Sequence, residues 1–293
     1  MHADELDIDA TLVRRMIAAQ FPRWARLRIE RVDSAGTDNA MFRLGDELAV
    51  RLPRVTSATK QVEKEQHWLP RLGPLPLAIP APVAMGQPSD GYPWQWSVYR
   101  WLEGENASTA RIDDPCAAAI AIAEFVAALR RIDPTGGPAP GPRNFYRGAP
   151  LAQRDPYVRA AIASLDGEVD VRSVTAAWET ALRAREWEGA QTWIHGDLAP
   201  GNLLVQNGRV SAVIDFGCLG VGDPACDLMV AWNFLTEEGR ESFRATLPAD
   251  DSTWARGRGW ALSMALIALP YYMHTNPVIV AGARRTIAAV CSA

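Results

Sequence analysis

A chain of 293 residues that is 48% hydrophobic and 22% charged has ample apolar material for a core and exceeds one small domain, which excludes a disordered or fibrous class. Its net charge of −4 comes without a basic stripe, which excludes nucleic acid as the main partner. Cys116, Cys218, Cys226 and Cys291 form no CxxC pair, the N-terminus lacks an apolar signal core, and no run approaches the roughly 18 apolar residues of a membrane span; a soluble, cytoplasmic protein is expected.

In chain order, Leu12, Val13, Met16 and Ile17 predict a helix over Asp9 to Phe21, stopped by Pro22. Three short strands follow, Leu27 to Val32, Ala40 to Leu44 and Leu48 to Leu52, as an antiparallel meander. Ser57 to Leu72 has helical spacing, and a Pro-rich run from Pro74 to Pro82 separates it from an aromatic strand, Trp94 to Gly104. A boundary near residue 103 divides the chain into 1–102 and 103–293. Beyond it, helices are expected at Asp114 to Ile132, Asp155 to Leu165 and Ser173 to Trp187. Brief buried strands are expected at Thr192 to Ile194, Leu203 to Val205 and Val210 to Ile214. The tail from Pro224 reads as helical, with breaks at Pro248, Pro270 and Pro277.

The chemistry lies in "WIHGDLAPGNLLV", Trp193 to Val205, and in "IDFG", Ile214 to Gly217. Asp197 and Asn202 stand five residues apart between apolar runs, and Asp215 ends the next hairpin. Such a set of oxygen-bearing side chains suits a hard cation such as Mg²⁺, which is bound through one or two carboxylates plus substrate phosphates. H-x-D-x-x-x-x-N followed by D-F-G is the arrangement that phosphoryl transfer uses in the protein-kinase fold. Taken singly, these residues are ordinary turn formers; the full set in order is far more specific.

"HGDLAPGN", "IDFG" and the trailing "GDPACDL" resemble the aminoglycoside phosphotransferase family. The resemblance implies an α+β, two-lobed protein-kinase-like fold, with a small antiparallel-sheet N-lobe and a mainly helical C-lobe. It makes Asp197 the catalytic base, Asn202 and Asp215 the Mg²⁺ ligands, and Asp227 a brace for the catalytic loop. Gly196 agrees with the family, where protein kinases have Arg, and His195 is implied to pack and hydrogen-bond.

The N-lobe is then expected to hold the nucleotide, ATP or GTP. "DSAGTDNAMF", Asp33 to Phe42, lies where a phosphate-covering loop belongs, with Ser34, Gly36 and Thr37 as donors. Arg51 occupies the third-strand position that usually carries Lys, with Glu65 as its partner. Tyr99 and Trp101 lie in "YRWLEG", which resembles the hinge that meets the base.

Only nine residues separate Gly217 from Asp227, and no "APE" follows. A small-molecule hydroxyl is therefore the expected acceptor, and a peptide finds no platform. Glu103, Glu105, Glu237, Glu238 and Glu241 are acidic groups for a cationic acceptor such as an aminoglycoside. A metabolite kinase for an amino alcohol or sugar, and a nucleotide-binding pseudokinase scaffold, are the rival readings.

Overall fold

The computed structural model describes residues 6–32, 38–89 and 91–292. They divide into two compact units, one of the residues up to Gly73 with Ala78–Glu103, the other of Pro74–Leu77 with the residues from Gly104 onward.

In the first unit, α1 (Ala10–Gln20) begins where the Asp9 carboxylate accepts from the Leu12 amide at 2.7 Å, supplying one of the acceptors that a helix start lacks. Five antiparallel strands follow: β1 (Ile29–Val32), β2 (Asn39–Leu44), β3 (Leu48–Pro53), β4 (Pro82–Gly86) and β5 (Trp96–Arg100), in the order β1-β2-β3-β5-β4. Alternation along β2 places Ala40, Phe42 and Leu44 inward, where they join Val13 and Ile17 of α1, Val50 of β3 and Val98 of β5 in one core. Helix α2 (Thr59–Trp68) carries the acidic partner of β3. The Pro-rich connection expected up to Pro82 gives way to a strand, β4, because "PVAMG" has one proline only at its first position, where no ladder N–H is needed. The aromatic strand is shorter than expected, ending at Arg100.

The second unit is mainly helical. Its helices are α3 (Pro115–Arg130), α4 (Asp155–Ser164), α5 (Val171–Leu182), α6 (Val230–Asn233), α7 (Glu237–Thr246), α8 (Asp251–Tyr272) and α9 (Pro277–Cys291). Asp114, Asp170, Thr236, Asp250 and Asn276 each accept an N–H from the first turn of the helix they precede. The break expected at Pro270 does not occur: it lies in the last turn of α8, where one lost N–H leaves no later turn to misalign. The helix expected to run to Trp187 ends at Leu182.

Two small sheets interrupt the helices. β6 (Glu105–Asn106), β8 (Leu203–Gln206) and β9 (Arg209–Val213) form one, and β7 (Thr192–Ile194) pairs with β10 (Gly220–Gly222) in the other. Among the described residues no helix is long and apolar enough to cross a membrane.

Candidate active site

β7 ends at Ile194, so His195, Gly196 and Asp197 leave the sheet as a turn. Asp227 clasps that turn from beneath: its two carboxylate oxygens accept from the His195 and Gly196 amides, each at 2.8 Å. The Asp227 side chain is fully buried. Burial raises its proton affinity above the ordinary carboxylate value, against the opposing pull of the two amides and Arg130. Gly196 takes the turn with φ +82°, a region open to glycine at little cost.

The hydrogen bonds of His195 fix its protonation pattern. Its Nδ1 faces the Asp197 amide at 3.2 Å and must accept, whereas Nε2 faces the Ile214 carbonyl at 3.0 Å and must donate. A buried imidazole committed on both nitrogens, with its edge on Phe216 at 4.7 Å, is a packing residue with no lone pair for proton transfer.

Asp197 itself is about one-third exposed. One carboxylate oxygen lies 3.5 Å from Nη2 of Arg147, an ion-pair contact at the long end of hydrogen bonding. The other accepts from Nδ2 of Asn202 at 3.1 Å, and the same Nδ2 donates to the Asp197 carbonyl at 2.8 Å. Both neighbours only accept, so the amide nitrogen must face Asp197. The Asn202 amide oxygen is thereby turned away, and among the described residues no donor reaches it.

The β8–β9 hairpin brings the third member. Leu203 pairs with Val213, and the Ile214 amide donates to the Asn202 carbonyl at 2.9 Å, so Asp215 follows directly beside Asn202. Asp215 has φ +59°, a left-handed backbone that aspartate tolerates, and its carboxylate accepts from the Gly217 amide at 3.3 Å. An acceptor-only amide oxygen beside an exposed carboxylate fits a hard, oxygen-seeking cation such as Mg²⁺. Among the described residues no group of three or more His, Cys, Asp or Glu comes together to hold a metal.

Arg147 was not singled out in the sequence. It is buried, donates from Nε to the Gly196 carbonyl at 2.8 Å and reaches Asp197 with Nη2. It thus braces the turn through the Gly196 carbonyl, as Asp227 does through the amides. The loop before it carries two consecutive left-handed residues, Phe145 (φ 52°) and Tyr146 (φ 58°). Nothing in "NFYRG" sets this arginine apart from the chain's many others.

In the first unit, Arg51 of β3 meets Glu65 of α2 at 2.5 Å, and its Nη2 reaches Gln61 at 3.3 Å. Glu65 is buried and also accepts from the Tyr99 hydroxyl. Burial, then the Glu65 charge, push that hydroxyl well above its usual range, so it stays a donor. The expectation that Tyr99 meets the nucleotide base through its backbone is corrected. Its backbone lies inside the sheet, opposite Ala49 of β3 and Pro82 of β4, and its side chain supports the Arg51–Glu65 pair. Trp101 is the first residue past β5, and its amide is taken by the Glu47 carbonyl at 2.8 Å. Ser34, Gly36 and Thr37 lie outside the described residues. Of the acidic groups, Glu103 pairs with Arg43 at 2.9 Å, whereas Glu105, Glu237, Glu238 and Glu241 are exposed.

The family model described as "Phosphotransferase enzyme family" matches residues 30–260. An uncharacterized protein of Bacillus subtilis (strain 168), YcbJ, is 34% identical over 105 residues, covering 33% of this chain and 33% of the relative. An aminoglycoside 3'-phosphotransferase of Escherichia coli is 26% identical over 145 residues, covering 48% of this chain and 53% of the relative. The chain thus spans from a third to about half the length of these curated relatives. Among solved structures, the GDP complex of a mutant aminoglycoside 2'-phosphotransferase-IIIa superposes with a TM-score of 0.74 at 20% identity, covering 96% of this chain and 97% of that one. At that identity the likeness is one of fold, and it is the kinase-like fold expected from the sequence.

Proposed function

Because this chain belongs to the phosphotransferase enzyme family, whose model covers residues 30–260, we propose that it transfers a phosphoryl group from ATP or GTP, with Mg²⁺, to a hydroxyl of a small molecule. The observation that carries the reading is Asp197. Its carboxylate is partly open, yet it is held from two sides by Arg147 and Asn202, in a turn pinned by Asp227.

Phosphoryl transfer asks little covalent chemistry of the protein; it asks for positioning and charge neutralisation. Asp197 accepts the proton of the acceptor hydroxyl and orients its oxygen for in-line attack. Asn202 and Asp215 are the ligands for Mg²⁺, which when bound neutralises charge on the donor phosphates. Arg51, fixed by Glu65, contacts the phosphates as a fork of N–H donors, with Ser34, Gly36 and Thr37 as donors of the covering loop and Trp101 at the base-contacting segment. An aminoglycoside is the first acceptor to try, on the named substrates of the relatives.

The deciding experiment is a coupled assay of nucleotide consumption over a panel of aminoglycosides, macrolides, peptide antibiotics and amino alcohols, run on the wild type and on Asp197→Ala. Acceptor-dependent turnover should appear with at least one class. In the variant it should fall by about 10²–10⁴-fold, the worth of a positioned base, with nucleotide binding retained. Wild-type turnover in Asp197→Ala would remove Asp197 from the mechanism. No turnover with any acceptor would favour a nucleotide-binding scaffold.

A further inference from the structure

The second unit contains a cavity of about 290 Å³, walled by α5, α6, α7 and α8 and lined by neither Asp197, Asn202 nor Asp215. We propose that it binds a small organic anion with a flat apolar body, of the aromatic carboxylate class. The inference does not depend on the transfer reaction.

Arg240, Arg244 and Arg258 line the cavity against a single carboxylate, Asp251, and that carboxylate is paired with Arg244 at 2.5 Å. Neither Arg240 nor Arg258 has a carboxylate within ion-pair distance among the described residues. Arg240 donates from Nε to the Ala231 carbonyl at 2.9 Å, and Arg258 donates from Nε and Nη2 to the Val290 carbonyl. These contacts cap the ends of α6 and α9, which accounts for part of each guanidinium. A guanidinium carries five N–H groups; the remainder meet no protein acceptor among the described residues and stay open to solvent, where a ligand can reach them. Both cations pay for their placement: burial lowers the proton affinity of each, and Arg258 lowers that of Arg240 further, against the pull of exposed Glu237.

The cavity also has an apolar wall. Trp232 and Trp254 face each other with ring centroids 4.8 Å apart and planes tilted by 50°. Arg240 stands over the Trp232 ring, 5.8 Å from its centroid, and Arg244 over that of Trp254 at 5.0 Å, so cation and ring already lie together on this wall. Arg240 and Arg258 are donors without a carboxylate partner at the cavity, so the ligand chemistry they suit is a negatively charged acceptor. The indole surfaces and a volume at the small end of ligand pockets suit a single ring carrying it.

The test titrates the full chain with benzoate at constant ionic strength, read by tryptophan fluorescence and calorimetry. Benzamide serves as the neutral isostere and inorganic phosphate as the anion without a ring. Saturable one-to-one binding of benzoate is expected, with both controls weaker by about tenfold or more, the scale of a charge-assisted hydrogen bond. Arg240→Gln with Arg258→Gln should lose binding by at least the same factor. Since that pair also frees two helix-end carbonyls, Ala177→Leu gives a second route, filling the cavity from α5 with every cation retained; it should abolish binding at an unchanged melting temperature. Absence of saturable benzoate binding, equal binding of benzamide or phosphate, or benzoate binding that survives in the folded Ala177→Leu protein would each overturn the proposal.

Discussion

Gly196 is the residue at which the local geometry of the catalytic turn can be tested without any substrate. Its φ is +82°, and a Cβ there would lie 2.7 Å from the Cys218 carbonyl oxygen and 3.1 Å from Cβ of Arg147. A left-handed backbone costs an L-residue about 1–2 kcal/mol, and forcing a methyl into a packed site adds about 1–3 kcal/mol. Gly196→Ala should therefore lose about 2–5 kcal/mol, a large share of the about 5–15 kcal/mol typical of a folded domain. The obstructing oxygen is backbone, so relief must move the turn. That strains the Gly196 amide on Asp227 and the Gly196 carbonyl on Arg147, both at 2.8 Å. Gly201, in the same loop, is the control: it has an ordinary φ and nothing within 4 Å of a built Cβ, so Gly201→Ala should stay within about 0.5 kcal/mol of wild type. Urea unfolding of both variants measures the difference. A Gly196→Ala loss no larger than that of Gly201→Ala would refute the claim that the turn admits glycine alone, and with it this account of why Gly stands where protein kinases have Arg.

Three further outcomes are expected. Arg147→Met removes the cation beside Asp197 and leaves the Gly196 carbonyl only the weak Cys226 thiol at 3.9 Å as a donor; turnover should fall about tenfold at an unchanged KM for nucleotide, with about 1–3 kcal/mol lost in urea unfolding, and an unaltered kcat would show that Arg147 only packs. Arg51→Met strands the Glu65 carboxylate, 2% exposed, and should cost about 3–5 kcal/mol, whereas Arg51→Lys should recover most of that loss, as chemical denaturation would show. For pH, the carboxyls of Asp133, Asp155, Asp170 and Asp250 are depressed below the ordinary value of 3.8, each first by a side-chain hydrogen bond, from Thr135, Trp178, Ser173 and Thr253. Depressed acids stabilise the fold above 3.8 and lose that contribution as pH falls through their folded values. Asp227, raised by burial, works oppositely, weakening stability as pH climbs from 3.8 to its folded value. Unfolding free energy measured below pH 4 should fall less steeply in Asp170→Asn than in wild type.

What could be read in advance follows from how far apart in sequence the cooperating atoms lie. Asp197 and Asn202 share a loop, and one hairpin pairing, Leu203 with Val213, carries Asp215 to the same place, so spacing alone encodes their proximity. The Arg51–Glu65 pair was legible for a similar reason, as a strand and the next helix place both in a short segment. Arg147 was not: its contacts with Gly196 and Asp197 span about fifty residues, and no local pattern distinguishes it. Tyr99 misled because the segment's aromatic composition marks a strand but not where it ends. β5 extends to Arg100, and that one-residue margin decides whether the tyrosine backbone belongs to a ladder or to a ligand.

The same logic explains the tyrosine's actual place. A buried carboxylate meeting one guanidinium still has lone pairs to satisfy, and in a low-dielectric interior an incomplete pair costs more than a complete network. Arg51 and the Tyr99 hydroxyl occupy different oxygens of Glu65, and Gln61 holds a second arm of the guanidinium. The cation is thus set in orientation as well as charge, which a fork needs if it is to meet phosphate oxygens. Removing the hydroxyl in Tyr99→Phe leaves the charges in place and one Glu65 oxygen without this donor. The network argument holds if that change weakens nucleotide binding as well as the fold; a loss of stability alone would make Tyr99 a packing residue.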